Sequence, residues 1–530
     1  MKKALLTLTA SILTCAFASA QERYLDEIFP DSVVLTPSQV YGDNWYFFAS
    51  NVEDFILSPN PMDSPYVATL KMDIREPFGD TATDRIPVVV LHTGNFIPRF
   101  FNGSTTGSRQ DKAVVEISEK LAKRGFVAFA PSYRLGWDPL NSNADVRKGT
   151  LLNAVYRGLH DVKTCVRFLK KSVAEDSNPY GIDPEKIVVF GYGTGGYLAT
   201  NYGALDRMPE LEIEKFTDVQ GNLFVDTSLV GQIDGSGGLV NVHNHPGYSN
   251  DIMASVNAGG AVGDSSWIEA GENLVMSFHC PDDPFAPFNH GIVIVPTTNE
   301  NVVPVSGSKY IIGQANALGN NAAIASQTYS DVISQASYDA LSSSHPELGL
   351  DPNNYEGLFP FIRPTVGANQ EESSPWDWWI PAEISGAIDF INNLAGTSLS
   401  ADTLMIQSMF NNPSMSEAQG QAYVDTIVRY MAPRLVHTMV ASIEENNSLV
   451  SENTFIYPNP TSAEKGITIR VDGFKMKAVE IYNLNGALVE DIRNPKPSQT
   501  YVPTDGLTPG LYLVRVLTDN GFTTRKLSVR

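Results

Sequence analysis

The segment GYGTG at residues 191–195 has the form of a turn that presents a nucleophilic serine, except that its central residue is Gly193. In the pattern G-x-S-x-G, a buried strand runs into a tight turn and then a helix, which exposes the serine hydroxyl for attack on a carbonyl carbon. The outer glycines let the turn approach the helix without contacts from Cβ atoms. Because glycine carries no hydroxyl, the segment keeps the shape for covalent catalysis and lacks the atom that would perform it.

The residues around this turn predict the elements that position it. Residues 186–190 (KIVVF) form a short apolar run typical of a buried parallel strand, and a helix is predicted directly after the turn. Upstream, residues 88–91 and 126–129 predict two more buried strands, and residues 155–169 carry apolar side chains at helical spacing. Residues 66–75 alternate apolar and polar side chains, which predicts an edge strand. Strands that alternate with helices predict an α/β fold with a doubly wound, mostly parallel sheet.

Taken together, these segments resemble the α/β-hydrolase family, on its esterase and lipase branch, over residues 66 to about 283. The sequence HTGNF at residues 92–96 is similar to the family's oxyanion loop, with Thr93 in place of one glycine. In the family, backbone amides of this loop and of the residue after the nucleophile stabilise the negative oxygen of the transition state. The resemblance therefore implies an oxyanion hole formed by three residues: Gly94, Asn95 and Thr194.

The resemblance also indicates where a triad acid and a triad histidine belong. Asp283 follows the strand predicted at residues 274–278 and takes the acid's position, with the capping of a turn as its alternative role. The family places the histidine on a loop after the last strand. His345 lies in a loop-like segment, but no G-x-G-H pattern surrounds it, and a solvated turn is the alternative. His290 and His437 are expected to pack or to contact solvent.

Where the histidine loop is expected, residues 371–379 read EESSPWDWW. The aromatic residues of this segment are candidates for the wall of a pocket, and packing in the core or in a lid is the alternative. The site therefore departs from the family's triad at two positions, the serine and the histidine.

Loss of the serine or the histidine from such a triad lowers turnover by about a million-fold. We therefore expect a secreted protein related to carboxylesterases and lipases that is catalytically impaired. It would act as a binding or surface module, with a small-molecule ester or acyl compound as ligand. Two alternatives remain open: an active carboxylic ester hydrolase with a displaced nucleophile, and a structural or adhesive component of the cell surface.

The C-terminal part of the chain follows a different pattern. Residues 442–453 (SIEENNSLVSEN) come directly after a predicted terminal helix and predict a linker, because they are polar and lack periodic apolar residues. Short alternating segments separated by N-G and P-G pairs follow and predict a small all-β sandwich over residues 454–530.

Several motifs of this region resemble, in order, a type IX secretion C-terminal sorting domain: YPNPT at 457–461, IYNLNG at 481–486, LTPGLYLV at 507–514 and TRKLSV at 524–529. The resemblance implies that residues 454–530 interact with the type IX secretion machinery. It also implies passage across the outer membrane, removal of the tail, and release or attachment at the cell surface.

The N-terminus predicts export as well. Residues 1–20 carry Lys2 and Lys3, an apolar run, and Ala-Ser-Ala before the expected cleavage point, which together indicate a signal peptide. The α/β-hydrolase-like domain would then span residues 21–441. No later stretch is predicted to be a membrane-spanning helix.

Composition and charge exclude other classes of partner. A chain of 530 residues with 42% hydrophobic residues can bury a full core, and its net charge of −22 disfavours a nucleic-acid partner. His243 and His245 form a closely spaced pair without a third ligand nearby, so no metal site is predicted. His160 is expected on a helix surface. The chain lacks the phosphate-binding pattern GxxxxGK[ST], and no nucleotide cofactor is predicted.

Overall fold

A computed structural model describes residues 23–29, 33–46, 66–294, 301–363, 373–462, 464–483 and 486–530; for residues 411 and 440–446 it describes the backbone alone. The predicted signal peptide, residues 1–20, lies outside these ranges. The chain divides into two compact units, Met1–Leu435 and Val436–Arg530.

The first unit contains an 8-stranded sheet with the strand order β1-β2-β4-β3-β5-β6-β7-β10 and a separate hairpin, β8-β9. These strands are β1 (Val33–Tyr46), β2 (Tyr66–Pro77), β3 (Pro87–Leu91), β4 (Val127–Pro131), β5 (Val188–Tyr192), β6 (Ala254–Ala258), β7 (Leu274–His279), β8 (His290–Ile294), β9 (Asn301–Ser306) and β10 (Leu358–Pro360). The helices are α1 (Lys112–Lys123), α2 (Ala144–Glu175), α3 (Thr194–Ala204), α4 (Thr227–Val230), α5 (Ser308–Leu318), α6 (Ala322–Ala325), α7 (Val332–Leu341), α8 (Pro381–Ala395), α9 (Ala401–Asn411) and α10 (Glu417–Glu452).

The centre of the sheet is parallel. β4, β3, β5, β6, β7 and β10 pair with one another in parallel register. Every residue of β3, β4 and β5 is buried, which explains why their sequences read as continuous apolar runs. The predicted α/β fold with a doubly wound, mostly parallel sheet is confirmed.

One antiparallel strand differs from its prediction. β2 is not an edge strand, because it pairs with β4 on one side and with β1 on the other. The true edge is β1, whose pairing with β2 is interrupted by irregularities next to Gln39 and Gly42. The polar and irregular sequence of β1 gave no clear strand pattern, because an edge strand buries only part of its surface.

Helix α2 crosses the sheet with most of its length buried. Leu159, Val162, Val166 and Leu169 belong to the central core, as their spacing predicts. His160 is also buried, with 1% of its surface exposed, which contradicts the predicted surface position. The reason is that loops cover the face of α2 opposite the sheet, as shown by the hydrogen bond that Tyr156 Oη donates to Gly231 O.

Besides the C-terminal part of α10, the second unit contains two antiparallel sheets with the orders β11-β12-β15 and β14-β13-β16-β17. Its strands are β11 (Thr454–Tyr457), β12 (Ile467–Val471), β13 (Met476–Asn483), β14 (Leu488–Arg493), β15 (Gln499–Val502), β16 (Gly510–Thr518) and β17 (Gly521–Val529). Apolar side chains of both sheets, such as Ile469 and Val514, meet in one core. The predicted small all-β domain is confirmed.

Residues 442–452 belong to α10. This corrects the expectation that the terminal helix ends before residue 442. The polar sequence of this segment lacks periodic apolar residues and so gave no helix signal, although Val450 is fully buried. The domain boundaries at 441 and 453 remain predictions. None of the described helices combines the length and apolar character needed to cross a membrane.

Candidate functional site

Gly193 lies at the sharp turn between β5 and α3, as the sequence predicts. Its φ of 50° and ψ of −115° are strained for an amino acid with a side chain. Its N–H donates to Ala258 O at 2.7 Å. A Cβ on Gly191 would lie 2.0 Å from Gly195 O, so the strand and the helix approach as closely as the outer glycines allow.

The side chain of Thr93 occupies the space next to Gly193. A Cβ on Gly193 would lie 2.2 Å from Thr93 Oγ1 and 3.0 Å from Thr93 Cβ. Because the first distance is far below van der Waals contact, a serine at residue 193 and the present Thr93 rotamer exclude each other. The Thr93 hydroxyl therefore lies beside the point where the side chain of a nucleophile would begin. The sequence shows two separate departures from the family pattern, and only the structure shows that they fit together.

Hydrogen bonds fix the loop that carries Thr93. Tyr133 Oη donates to His92 O at 2.8 Å, and Trp137 Nε1 donates to Asn95 O at 2.7 Å. The rings of His92 and Tyr133 stack with their centroids 4.4 Å apart. Burial lowers the pKa of His92 to about 4, so its imidazole is neutral at neutral pH. His92 thus supports the loop and does not supply a charge.

Two of the three residues predicted to form an oxyanion hole line the cavity. Asn95 and Thr194 line the cavity beside Gly193. Gly94 is not among the lining residues, and a Cβ there would lie 2.7 Å from Gly107 Cα. The close approach of Gly94 to Gly107 explains its φ of 130°, which favours glycine. The oxyanion hole itself remains a prediction.

The elbow opens into a cavity of about 540 Å³. Its apolar part is lined by Leu152, Val155, Leu211, Phe216, Trp267 and Val305, from α2, the loops after α3 and β6, and the β8-β9 hairpin. Its polar part is lined by Asn102, Ser104, Thr106, Ser373, Asp377 and Ser408. A pocket of this size with an apolar wall and a few convergent polar groups is typical of small-molecule sites.

Asp283 lines the same cavity, in the turn after β7. Its Oδ1 accepts hydrogen bonds from the amides of Phe285 at 2.8 Å and Ala286 at 3.1 Å, so it also caps this turn. Its Oδ2 lies 3.7 Å from Nε2 of His279. His279 is fully buried, and burial lowers its pKa to about 4. Both predicted roles of Asp283, acid position and turn cap, are compatible with this placement.

No histidine lines the cavity, although all eight histidines of the chain lie in the described ranges. His345 lies outside it and places Nε2 at 3.1 Å from Oδ2 of Asp282, the exposed neighbour of Asp283. His290 contacts the Ser306 hydroxyl at 2.9 Å through Nδ1. The structure therefore brings Gly193 and Asp283 to one cavity and leaves His345 outside it.

Comparison with known protein families adds an independent observation. The BD-FAE family model matches residues 72–309, and the model of the secretion system C-terminal sorting domain matches residues 455–530. The chain therefore contains an esterase-like α/β-hydrolase domain followed by a type IX sorting domain. A search of curated proteins found no match.

Among solved structures, this α/β-hydrolase is similar to a thermophilic esterase from the Planctomycetes species Thermogutta terrifontis with propionate bound. The two share 20% identity over 42% of this chain and 70% of that chain, with a TM-score of 0.27. A truncated carbohydrate esterase from gut microbiota shares 17% identity over 49% of this chain and 81% of that chain, with a TM-score of 0.29.

In this α/β-hydrolase, Asp377 lies after β10, where the family's histidine loop was expected, and it lines the cavity. Burial raises the pKa of Asp377 well above its usual range, and the nearby negative charge of Asp111 adds to the shift. Sequence reasoning missed Asp377, because a lone aspartate among tryptophans follows no catalytic pattern. Of those tryptophans, Trp379 lines the cavity, whereas Trp376 packs against Tyr192 with ring centroids 5.4 Å apart.

The predicted histidine pair has a structural contact. His245 places Nε2 at 2.7 Å from Tyr41 O. Within the described ranges, no cluster of three or more His, Cys, Asp or Glu side chains has the arrangement of a metal site.

Proposed function

We propose that the cavity binds a small ester or acyl compound without forming a covalent intermediate. The contact between Thr93 and Gly193 carries the proposal, because the place of a serine side chain is taken by a group from another loop. A carbonyl group placed against Asn95 and Thr194 would meet backbone amides and the Thr93 hydroxyl. It would meet no serine that a histidine could deprotonate.

The absence of a histidine from the cavity supports the same function. A hydroxyl is a weak nucleophile at its ordinary pKa and needs an adjacent general base. Asp283 uses Oδ1 to hold the turn amides, and the high pKa of Asp377 favours its protonated form. An oxyanion hole and binding alone accelerate hydrolysis by roughly a thousand- to ten-thousand-fold over water, far less than a complete triad does.

The second candidate is an active carboxylic ester hydrolase that uses Thr93 as its nucleophile. The position of the Thr93 hydroxyl beside the elbow favours it. A fluorophosphonate, which reacts with activated serine and threonine hydroxyls, distinguishes the two candidates. The binding function predicts that no cavity residue is labelled when the adducts are located by peptide mass spectrometry.

Labelling of Thr93 in the wild-type protein, together with its loss in Thr93→Val, would establish the hydrolase and overturn the binding function. Thr93→Val is the matched variant because it removes the hydroxyl and keeps the branched shape beside Gly193. Labelling of residues outside the cavity would persist in Thr93→Val, which distinguishes it from labelling of Thr93.

The sorting domain supports a function outside the cell. A tail of this family indicates engagement with the type IX machinery and export to the cell surface or the medium. We infer that residues 1–20 act as the signal peptide and that the binding domain is delivered beyond the outer membrane. Ligand capture at that location needs no turnover, which is consistent with the altered elbow.

A further inference from the structure

The charges around the cavity are of one sign. Asp283 and Asp377 are the only acidic side chains among the described residues that line it, and those residues include no Lys, Arg or His. Enzyme and receptor sites for carboxylates or phosphates use Arg, Lys or convergent helix N-termini to supply positive charge. An anionic ligand placed beside either carboxyl group would be repelled once that group is ionised, and no basic side chain of the described lining would offset the repulsion.

We propose that the cavity binds the primary ammonium group of an amphiphilic ligand at the oxygen atoms of its acidic and hydroxyl side chains, and that the apolar portion of the ligand lies against α2 and the β8-β9 hairpin. This inference rests on the proposed binding function and specifies the ligand class for the same cavity. A primary ammonium group has three N–H donors and no acceptor. It therefore binds where oxygen atoms surround it and where no cationic side chain competes for those oxygen atoms.

The Tyr197 hydroxyl gives an observation that is independent of the two carboxyl groups. Tyr197 lies in α3 and lines the cavity, and its buried Oη makes no hydrogen bond within the described structure. Burial raises the pKa of Tyr197, and the negative charge of Asp283 adds to the shift, so the phenol is neutral and close enough to Asp283 to sense it. A buried hydroxyl without a partner costs free energy, which a ligand donor would recover.

Asp377 points to the same ligand class. Its raised pKa results from burial and from the negative charge of Asp111, so the surrounding protein groups stabilise the ionised form of Asp377 poorly. A cation placed beside it would supply that compensation. Asp283 lies in the turn after β7, and backbone amides hold its Oδ1. Its Oδ2 lies on the side of Gly259, which also lines the cavity.

The apolar part of the cavity indicates the chemical character of the ligand beyond its ammonium group. Leu152, Val155, Leu211 and Val305 offer aliphatic surface and no hydrogen-bonding side chain. Burial of a methylene group there is favourable by the hydrophobic effect, so an unbranched alkyl chain is the simplest complement. Ligands of the proposed class therefore have an alkyl chain at one end and a primary ammonium group at the other.

Isothermal titration calorimetry of the full-length protein at pH 7 with octylamine, octanol and sodium octanoate tests this inference. The three probes share one chain and differ in the charge of the head group. We expect octylamine to bind at least about tenfold more tightly than octanol, since hydrogen bonds to charged groups are the stronger ones, and octanoate to bind most weakly. None of the probes is an ester, so the measurement does not depend on hydrolysis.

Asp283→Asn and Asp377→Asn should each reduce the preference for octylamine over octanol by about tenfold, and Tyr197→Phe should reduce it several-fold. Asparagine at residue 283 retains an oxygen that accepts from the turn amides, so this variant is expected to fold. Asp282→Asn is the matched control, since Asp282 is exposed and does not line the cavity; it should leave the preference unchanged.

Equal binding of octylamine and octanol, or a preference that persists in both aspartate variants, would overturn the ammonium inference and leave the binding function intact. Tightest binding of octanoate would overturn it as well. Failure of all three probes to bind would contradict both the inference and the proposed use of the cavity for ligands.

Discussion

Two residues that face each other, Thr93 and Gly193, determine what the elbow can do. A strained backbone does not by itself demand glycine at residue 193, because nucleophile elbows place a serine in a sharp, strained turn. The decisive constraint is the Thr93 side chain, which leaves no room for a Cβ at residue 193. Restoring the serine therefore requires the Thr93 side chain to adopt another rotamer or to be replaced.

Gly193→Ser alone should lower the free energy of unfolding by about 1–3 kcal/mol, because the new side chain displaces Thr93 from a packed loop. Thr93→Gly in the same chain should recover most of this loss, so the two effects are not additive. Thermal or urea unfolding of both single variants and the double variant measures the coupling. Additive losses would show that Thr93 and residue 193 do not compete for space.

The buried His279 predicts a dependence of stability on pH. Burial lowers its folded-state pKa to about 4 from an ordinary value of 6.5, so the unfolded chain binds more protons between these values. The stabilisation is complete above pH 6.5 and is lost as the pH falls toward 4. Between pH 7.5 and pH 5, this residue should contribute a loss of about 2 kcal/mol.

His279→Gln removes the titration and keeps a donor for Ala286 O. The difference in unfolding free energy between wild type and variant should shrink by that amount from pH 7.5 to pH 5. Glu272 contributes with the opposite sign, because burial raises its pKa to about 7. Its contribution is the same in both proteins and is removed when the difference is taken. A difference that is constant with pH would contradict the neutral state of buried His279.

At the scale of elements, the close approach of β5 and α3 depends on Gly191. Gly191→Ala should destabilise the protein by roughly 3 kcal/mol, because its Cβ would lie 2.0 Å from Gly195 O. Gly386→Ala is the matched control in the exposed part of α8, where a Cβ meets nothing within 4 Å; it should stabilise by roughly 0.5–1 kcal/mol. Equal effects of the two substitutions on unfolding would refute the packing argument.

The sequence predicted the elements that carry strong periodicity or continuous apolar runs. β3, β4, β5 and the buried face of α2 lie where the sequence places them, because burial on both faces of a parallel sheet leaves a clear pattern. β1 and the last turns of α10 gave weak patterns, since much of their surface is polar or exposed. Their positions are determined by tertiary pairing and not by local preference.

The candidate site was predictable only where a motif fixes the backbone. Gly193 and Asp283 follow strands and could be placed by their offset from those strands. The side chain of Thr93 and the carboxyl of Asp377 could not, because each reaches the cavity from a loop whose course depends on contacts distant in sequence. His345 is the opposite case. Its loop-like sequence made it a candidate for the site, but it lies outside the cavity, beside Asp282.

At the scale of the whole molecule, the sorting domain predicts where the α/β-hydrolase acts. Deletion of residues 454–530 should prevent the protein from appearing at the cell surface or in the medium of a type IX-competent host, as measured by cell fractionation. Residues 454–530 fused to a fluorescent protein that carries a signal peptide serve as the control and should direct its export. Export of the truncated chain at the wild-type level would show that the tail does not sort this protein.

The net charge of −22 also acts at this scale. An acidic surface attracts cations over a Debye length of about 10 Å at ordinary salt concentration and repels anionic compounds. The charge of the whole chain and the two carboxyl groups of the cavity thus have the same sign, and both favour a cationic over an anionic ligand.

The most direct test of the account is the hydrolysis of p-nitrophenyl acetate, butyrate and octanoate by the purified full-length protein, compared with Thr93→Val. We expect no saturable hydrolysis above the buffer rate in either protein, because Gly193 carries no hydroxyl at the nucleophile position and no histidine lines the cavity. Saturable hydrolysis by the wild-type protein that disappears in Thr93→Val would contradict the account and establish Thr93 as the nucleophile of a working esterase.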